Sequence, residues 1–65
     1  MKVLTWQARD KNGVSLRKLS KMTGITYSTL WRIENHEKSP TLDELKLIAM
    51  ALQMRISDLY DDELK

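Results

Sequence analysis

Between Leu42 and Leu52 the apolar residues Leu42, Leu45, Ile48, Ala49 and Leu52 fall at spacings of three and four, which predicts a helix over residues 42–52 with that stripe in a core. Thr41-Leu42-Asp43-Glu44 opens it as a capping box, and Pro40 marks the boundary in front. Upstream, the inward positions run Leu19, Ser20, Thr23, Ile25, Leu30 and Ile33, with Gly24 among them. One continuous helix cannot produce that order. Two short helices hinged at Gly24 can, over residues 16–23 and 27–35, with Ser15 and Thr26 as their N-caps. Small side chains at Ser20 and Gly24 let the second helix cross closely over the first, and Gly24 tolerates the positive φ of a tight turn.

The flanks give weaker signals. Residues 2–12 read as a first helix, although Val3, Leu4, Trp6 and Ala8 make no clean stripe, and Asn12-Gly13 closes it. A break at Gln53 to Arg55 leads to a last short helix over residues 56–62, apolar at Ile56, Leu59 and Tyr60, with Asp61 to Lys65 as a frayed polar tail. There is no strand alternation, internal repeat or low-complexity linker, so the expectation is one all-α domain over residues 1–65.

The helix at 27–35 poses a further question. At about 100° per residue, Leu30 and Ile33 face inward, while Ser28, Trp31, Arg32 and Asn35 face outward with Tyr27 at the edge. The net charge of +2 hides an asymmetry that bears on this outer face. Residues 1–38 carry eight basic side chains against three acidic ones, a net of +5, and residues 39–65 carry a net of −3. A positive half containing the helix pair suits a polyanion, with the acidic half turned away.

Other classes find little support. A chain of 65 residues buries only about 60% of its unfolded surface, and without cysteine it has neither disulfides nor thiolate metal ligands, which fits a reducing cytoplasm. No segment approaches the ~20 apolar residues of a membrane span, and Met1 to Gln7 does not read as a signal peptide. With one histidine, His36, whose nearest acid is Glu37, no nucleophile and base pair up; no enzyme, metal or cofactor is expected.

From Val14 to Tyr60 the chain resembles the Cro/repressor-type (XRE) helix-turn-helix family: Leu19, Ser20, Gly24, Ile25, Leu30 and Ile33 match its motif, followed by Pro40 and the LxxLxxIAxAL pattern of residues 42–52. The resemblance implies a compact five-helix, lambda-repressor-like bundle that acts as a transcriptional regulator, a repressor of bacterial or mobile-element type, on double-stranded DNA. It also implies an ion pair between Arg9 and Glu34. Three departures stand out. Leu16 occupies a position where many members place a phosphate-binding glutamine, His36 and Gln53 replace common helix-end glycines, and Arg55 replaces a small N-cap.

By position in the motif, Tyr27, Ser28 and Arg32 match the family's base-contacting sites, with Thr29 and Trp31 beside them. Arg32 suits bidentate contact with guanine, Ser28 suits a base or a phosphate, and Tyr27 suits either. Trp31 admits three readings: a thymine methyl, a protein partner, or partial core. Ser15, Leu16 through its backbone amide, Arg17, Asn35, Lys38 and Thr41 are the phosphate candidates. A homodimer on a pseudo-palindrome follows from the small reading surface, with Ile56, Leu59 and Tyr60 either its interface or core closure; no small-molecule effector site is evident. The competing reading is a protein-binding adaptor or antitoxin-like partner using Trp31 and the last helix.

Overall fold

The computed structural model describes residues 2–61. Four α-helices, α1 (Thr5–Lys11), α2 (Leu16–Thr23), α3 (Tyr27–Glu34) and α4 (Leu42–Leu52), surround one core of Ala8, Leu19, Ile25, Leu30, Ile33, Leu45, Ile48, Ala49, Leu52 and Leu59. A 3-10 turn at Ile56–Leu59 closes the bundle. A short antiparallel ribbon then joins β1 (Lys2–Val3) to β2 (Tyr60–Asp61), with Lys2 opposite Asp61 and Val3 opposite Tyr60.

The ribbon corrects both ends of the sequence reading. Residues 2–12 do not form one helix: Val3 pairs with Tyr60, the Leu4 amide donates to the Leu59 carbonyl at 2.7 Å, and the helix begins only at Thr5. This explains the missing stripe, because Val3 is placed by the strand and Leu4 is the N-cap ahead of α1. The expected fifth helix over 56–62 is instead the 3-10 turn followed by β2 as far as Asp61, so the described residues form four α-helices. Asp58 stabilises that turn by accepting from the Arg55 amide at 3.1 Å. Asp61 lies in β2 rather than in a frayed tail, and residues 62–65 are outside those described.

The caps form as their side chains dictate. Ser15 accepts from the Lys18 amide, Thr26 from the Thr29 amide, and Thr41 and Glu44 satisfy each other's backbone N–H groups. At the C-terminal ends, α1, α3 and α4 share one closure. Residues Gly13, His36 and Gln53 take left-handed φ of 64°, 61° and 54°. In each case the next amide reaches back five residues: Val14 to Arg9, Glu37 to Arg32 and Met54 to Ala49. The turn after α2 is different. Gly24 has φ 77° and its amide bonds the Ser20 carbonyl, while the Ser20 hydroxyl donates to the Ile25 carbonyl and Thr23 accepts from the Ile25 amide.

Two expectations about packing need correction. A Cβ built on Gly24 meets nothing within 4 Å, so the position requires glycine for its φ and not for a close helix crossing. Leu42 is 66% exposed at the first position of α4, outside the stripe that Leu45, Ile48, Ala49 and Leu52 bury. Leu59 is fully buried and Ile56 packs against the core, so this segment closes the core.

Two stability predictions follow from the backbone and the core. Gln53→Gly removes a left-handed cost of about 1–2 kcal/mol, offset in part by the about 0.5–1 kcal/mol that glycine's extra unfolded freedom takes back. The urea midpoint should therefore rise, with a gain of up to about 1 kcal/mol; a drop would contradict the closure. The Thr5 hydroxyl is buried and has no hydrogen-bond partner among the described residues. Replacing it in Thr5→Val should be neutral or stabilising by about 1 kcal/mol in the same assay, and a loss of stability would show the hydroxyl to be satisfied.

Candidate nucleic-acid interface

The interface is built on α3, which is held at both ends. At its start, Thr26 caps the helix and the Gly24 turn fixes its direction. At its end, Glu34 receives a two-pronged bond from Arg9 of α1, Nε to Oε2 at 2.8 Å and Nη2 to Oε1 at 3.1 Å. The remaining guanidinium arm donates to the Val14 carbonyl at 2.9 Å, just ahead of the α2 cap. Hydrogen bonding to Glu34, aided by its charge and opposed by burial, raises the Arg9 pKa above its ordinary value, so the guanidinium stays charged. The ion pair implied by the family resemblance is thus present. Its side chains are only 16% and 5% exposed, which places it at the core edge rather than on the open surface.

With Leu30 and Ile33 buried, the opposite side of α3 is left to solvent. Tyr27, Ser28, Trp31 and Arg32 line one shallow, open hollow together with Glu37. Tyr27 is 48% and Trp31 43% exposed, so both rings are about half open to solvent. Arg32 makes no ion pair among the described residues, so its donors are free. Thr29 stands apart from this group: it is half-buried, and its hydroxyl accepts from the Thr26 hydroxyl at 2.9 Å as part of the cap. Glu37 was not singled out as a site residue by sequence. The closure at His36 returns the chain towards α3 and puts this acid in the wall; the signal that could have found it is the helix-end glycine common in the family where His36 stands.

The phosphate candidates divide into two groups. Ser15, which also accepts from the Lys18 amide as the cap of α2, and Arg17 are exposed at the start of that helix, and the amides of Leu16 and Arg17 lie in the first turn, where no intrahelical acceptor exists. The Leu16 side chain packs against the core, so only its backbone is available. Exposed Lys18 and Lys21 extend the basic surface along the same helix. The second group is already engaged. Asn35 donates through Nδ2 to the Trp31 carbonyl at 2.8 Å, Lys38 contacts Glu44 at 2.6 Å, and Thr41 closes the capping box of α4. The Lys38 hydrogen bond, followed by that of the Thr41 amide, holds the Glu44 carboxyl below its ordinary pKa.

Two helices hinged at a left-handed glycine, with an exposed outer face on the second, define a helix-turn-helix protein of the DNA-binding regulatory class. The Cro/C1-type (XRE) helix-turn-helix family matches residues 7–59, and the chain belongs to that family. Comparison with curated proteins and with solved structures gives no match. Among the described residues, no helix is long and apolar enough to cross a membrane.

The Lys38–Glu44 contact yields a pH prediction. A carboxylate whose folded pKa is depressed stabilises the fold above its unfolded pKa, and that contribution is lost as pH falls through the folded value. Lys38→Met removes the larger cause of the depression and leaves the Thr41 amide. In urea titrations between about pH 3 and pH 6, its acid loss of stability should therefore be smaller than in the unsubstituted chain and end nearer the ordinary carboxylate range. Superimposable pH profiles would show that the contact does not act on Glu44.

Proposed function

We propose that this chain is a sequence-specific transcriptional regulator, a repressor, that reads the DNA major groove with α3 and acts as a cytoplasmic homodimer without an enzymatic activity. The observation that carries the reading is the outer face of α3, where an unpaired guanidinium and two half-exposed aromatic rings stand together on a helix whose inner face is core. In such a docking the first residues of the recognition helix approach base edges, as Tyr27, Ser28, Trp31 and Arg32 are arranged to do. Thr29 serves mainly to hold that start in place.

Phosphate binding belongs chiefly to the start of α2. Ser15, Arg17 and the free amides of Leu16 and Arg17 form one anchor, since helix N-termini favour anions, and Lys18 and Lys21 add charge along the backbone. Asn35, Lys38 and Thr41 contribute at the other end of α3, where the Lys38 ammonium retains donors after bonding Glu44. One such domain makes few base contacts, so two copies on half-sites about 34 Å apart supply operator-level specificity.

Salt-dependent binding to duplex DNA tests the reading. With about four phosphates neutralised per domain, log affinity should fall with log salt at a slope of about −3 to −4 for each domain bound, about −7 for the dimer. Arg32→Ala should cost about 1–3 kcal/mol on a preferred duplex and flatten the preference among duplexes, with the salt slope little changed. No appreciable duplex binding at low salt would remove the regulator reading and favour a protein-binding adaptor that uses the exposed Trp31. Equal binding to all duplexes by both proteins would remove base reading by Arg32.

A further inference from the structure

We propose that α3 recognises the 5-methyl group of a pyrimidine next to a guanine, so that the preferred duplex of this protein carries a thymine beside a guanine and is bound less well once that methyl is removed. The inference rests on the DNA-reading role proposed above and names the base chemistry that the face would take.

The outer face of α3 presents two parallel rows. Tyr27 and Trp31, four residues apart, form an aromatic row, and both rings are about half exposed. Ser28 and Arg32, the next pair four apart, form a polar row, and all four side chains line the same hollow. At a rise of about 1.5 Å per residue each row is about 6 Å long, close to two base steps of about 3.4 Å. The two rows can therefore address neighbouring base pairs.

Their chemistry then limits the targets. The major-groove edges consist of hydrogen-bond donors and acceptors with one apolar exception, the C5-methyl of thymine. Aromatic rings pressed against the polar edges alone would desolvate donors and acceptors without replacing their partners. Against the methyl they bury apolar surface on both sides. Arg32 has only donors and no ion-pair partner among the described residues, so it calls for a pair of acceptors in one plane, which guanine supplies as O6 and N7. Glu37, an acceptor in the wall of the same hollow, is complementary to the N4 amino group of the cytosine paired with that guanine. Since Trp31 and Arg32 are consecutive, the methyl and the guanine fall on adjacent positions.

The test uses the whole chain and random-sequence duplexes carried through rounds of selection. The selected pool is then copied once with thymidine triphosphate and once with deoxyuridine triphosphate, which removes only the methyl groups. Thymine next to guanine should be enriched, and the uracil copy should bind about three- to tenfold more weakly, the scale of one or two buried methyl contacts. Trp31→Ala, at an exposed position that leaves the core intact, should reduce this ratio to less than about twofold, and Trp31→Phe should keep most of it. Equal binding of the two copies, or a ratio unchanged in Trp31→Ala, overturns the methyl reading and leaves the regulator role standing. Absence of any duplex binding overturns both.

Discussion

The guanidinium of Arg9 lies where three segments meet, and the placement of α3 depends on it. It grips the Glu34 carboxylate with two bonds and the Val14 carbonyl with a third, and so joins the end of α1, the entry to α2 and the end of α3. A carboxylate only 5% exposed would be strongly destabilising without its partner. Here both of its oxygens are bonded, and the planar fork of arginine fixes direction as well as distance. Because the Gly24 turn constrains the other end of α3, the helix has little freedom to roll, and its outer residues stay on one side of the molecule.

A small core makes local closures matter more here than in a larger domain. Three hydroxyl caps, each worth about 1 kcal/mol, start α2, α3 and α4, and left-handed closures end α1, α3 and α4. These closures also decide which polar groups are left for a ligand. Thr29, Thr41 and Asn35 are engaged in their own helices, whereas Arg17, Lys18, Lys21 and Arg32 form no ion pair among the described residues. Two left-handed positions are filled by His36 and Gln53 rather than glycine, so some backbone strain is retained. At His36 the closure turns Glu37 back to the hollow of α3.

The central part of the fold was legible in the sequence because its determinants are local. Ser15, Thr26 and Thr41 announce their helices, Gly24 announces the turn, and the three-and-four spacing of Leu45, Ile48, Ala49 and Leu52 announces a buried face. The ends were not legible. A two-residue strand has no period to detect, and the pairing of Val3 with Tyr60 arises only when the fold brings the chain ends together. The spacing of Ile56 and Leu59 is as compatible with a 3-10 turn as with an α-helix, so the fifth helix was a reasonable expectation that tertiary pairing overrode. At the candidate site, helical periodicity was enough to group Tyr27, Ser28, Trp31 and Arg32, yet it could not show that Thr29 turns into the cap or that Glu37 folds back.

In the proposed role, recognition would divide over three length scales, each supplied by a different part of the chain. The charge asymmetry, +5 over residues 1–38 and −3 over residues 39–65, acts over about a Debye length and orients the basic side towards a duplex before contact. The start of α2, with Ser15 and the free amides beside it, acts at hydrogen-bond range on backbone phosphates and sets the register without reading sequence. Only the outer rows of α3 reach base edges, and their value depends on rigid placement, since a shift of about one base step would set Arg32 against a different pair. In that role the Arg9–Glu34 bond would contribute to base selection through the placement of α3. It holds the end of α3 that carries Trp31 and Arg32, and its strength lies in a site that solvent and salt screen poorly.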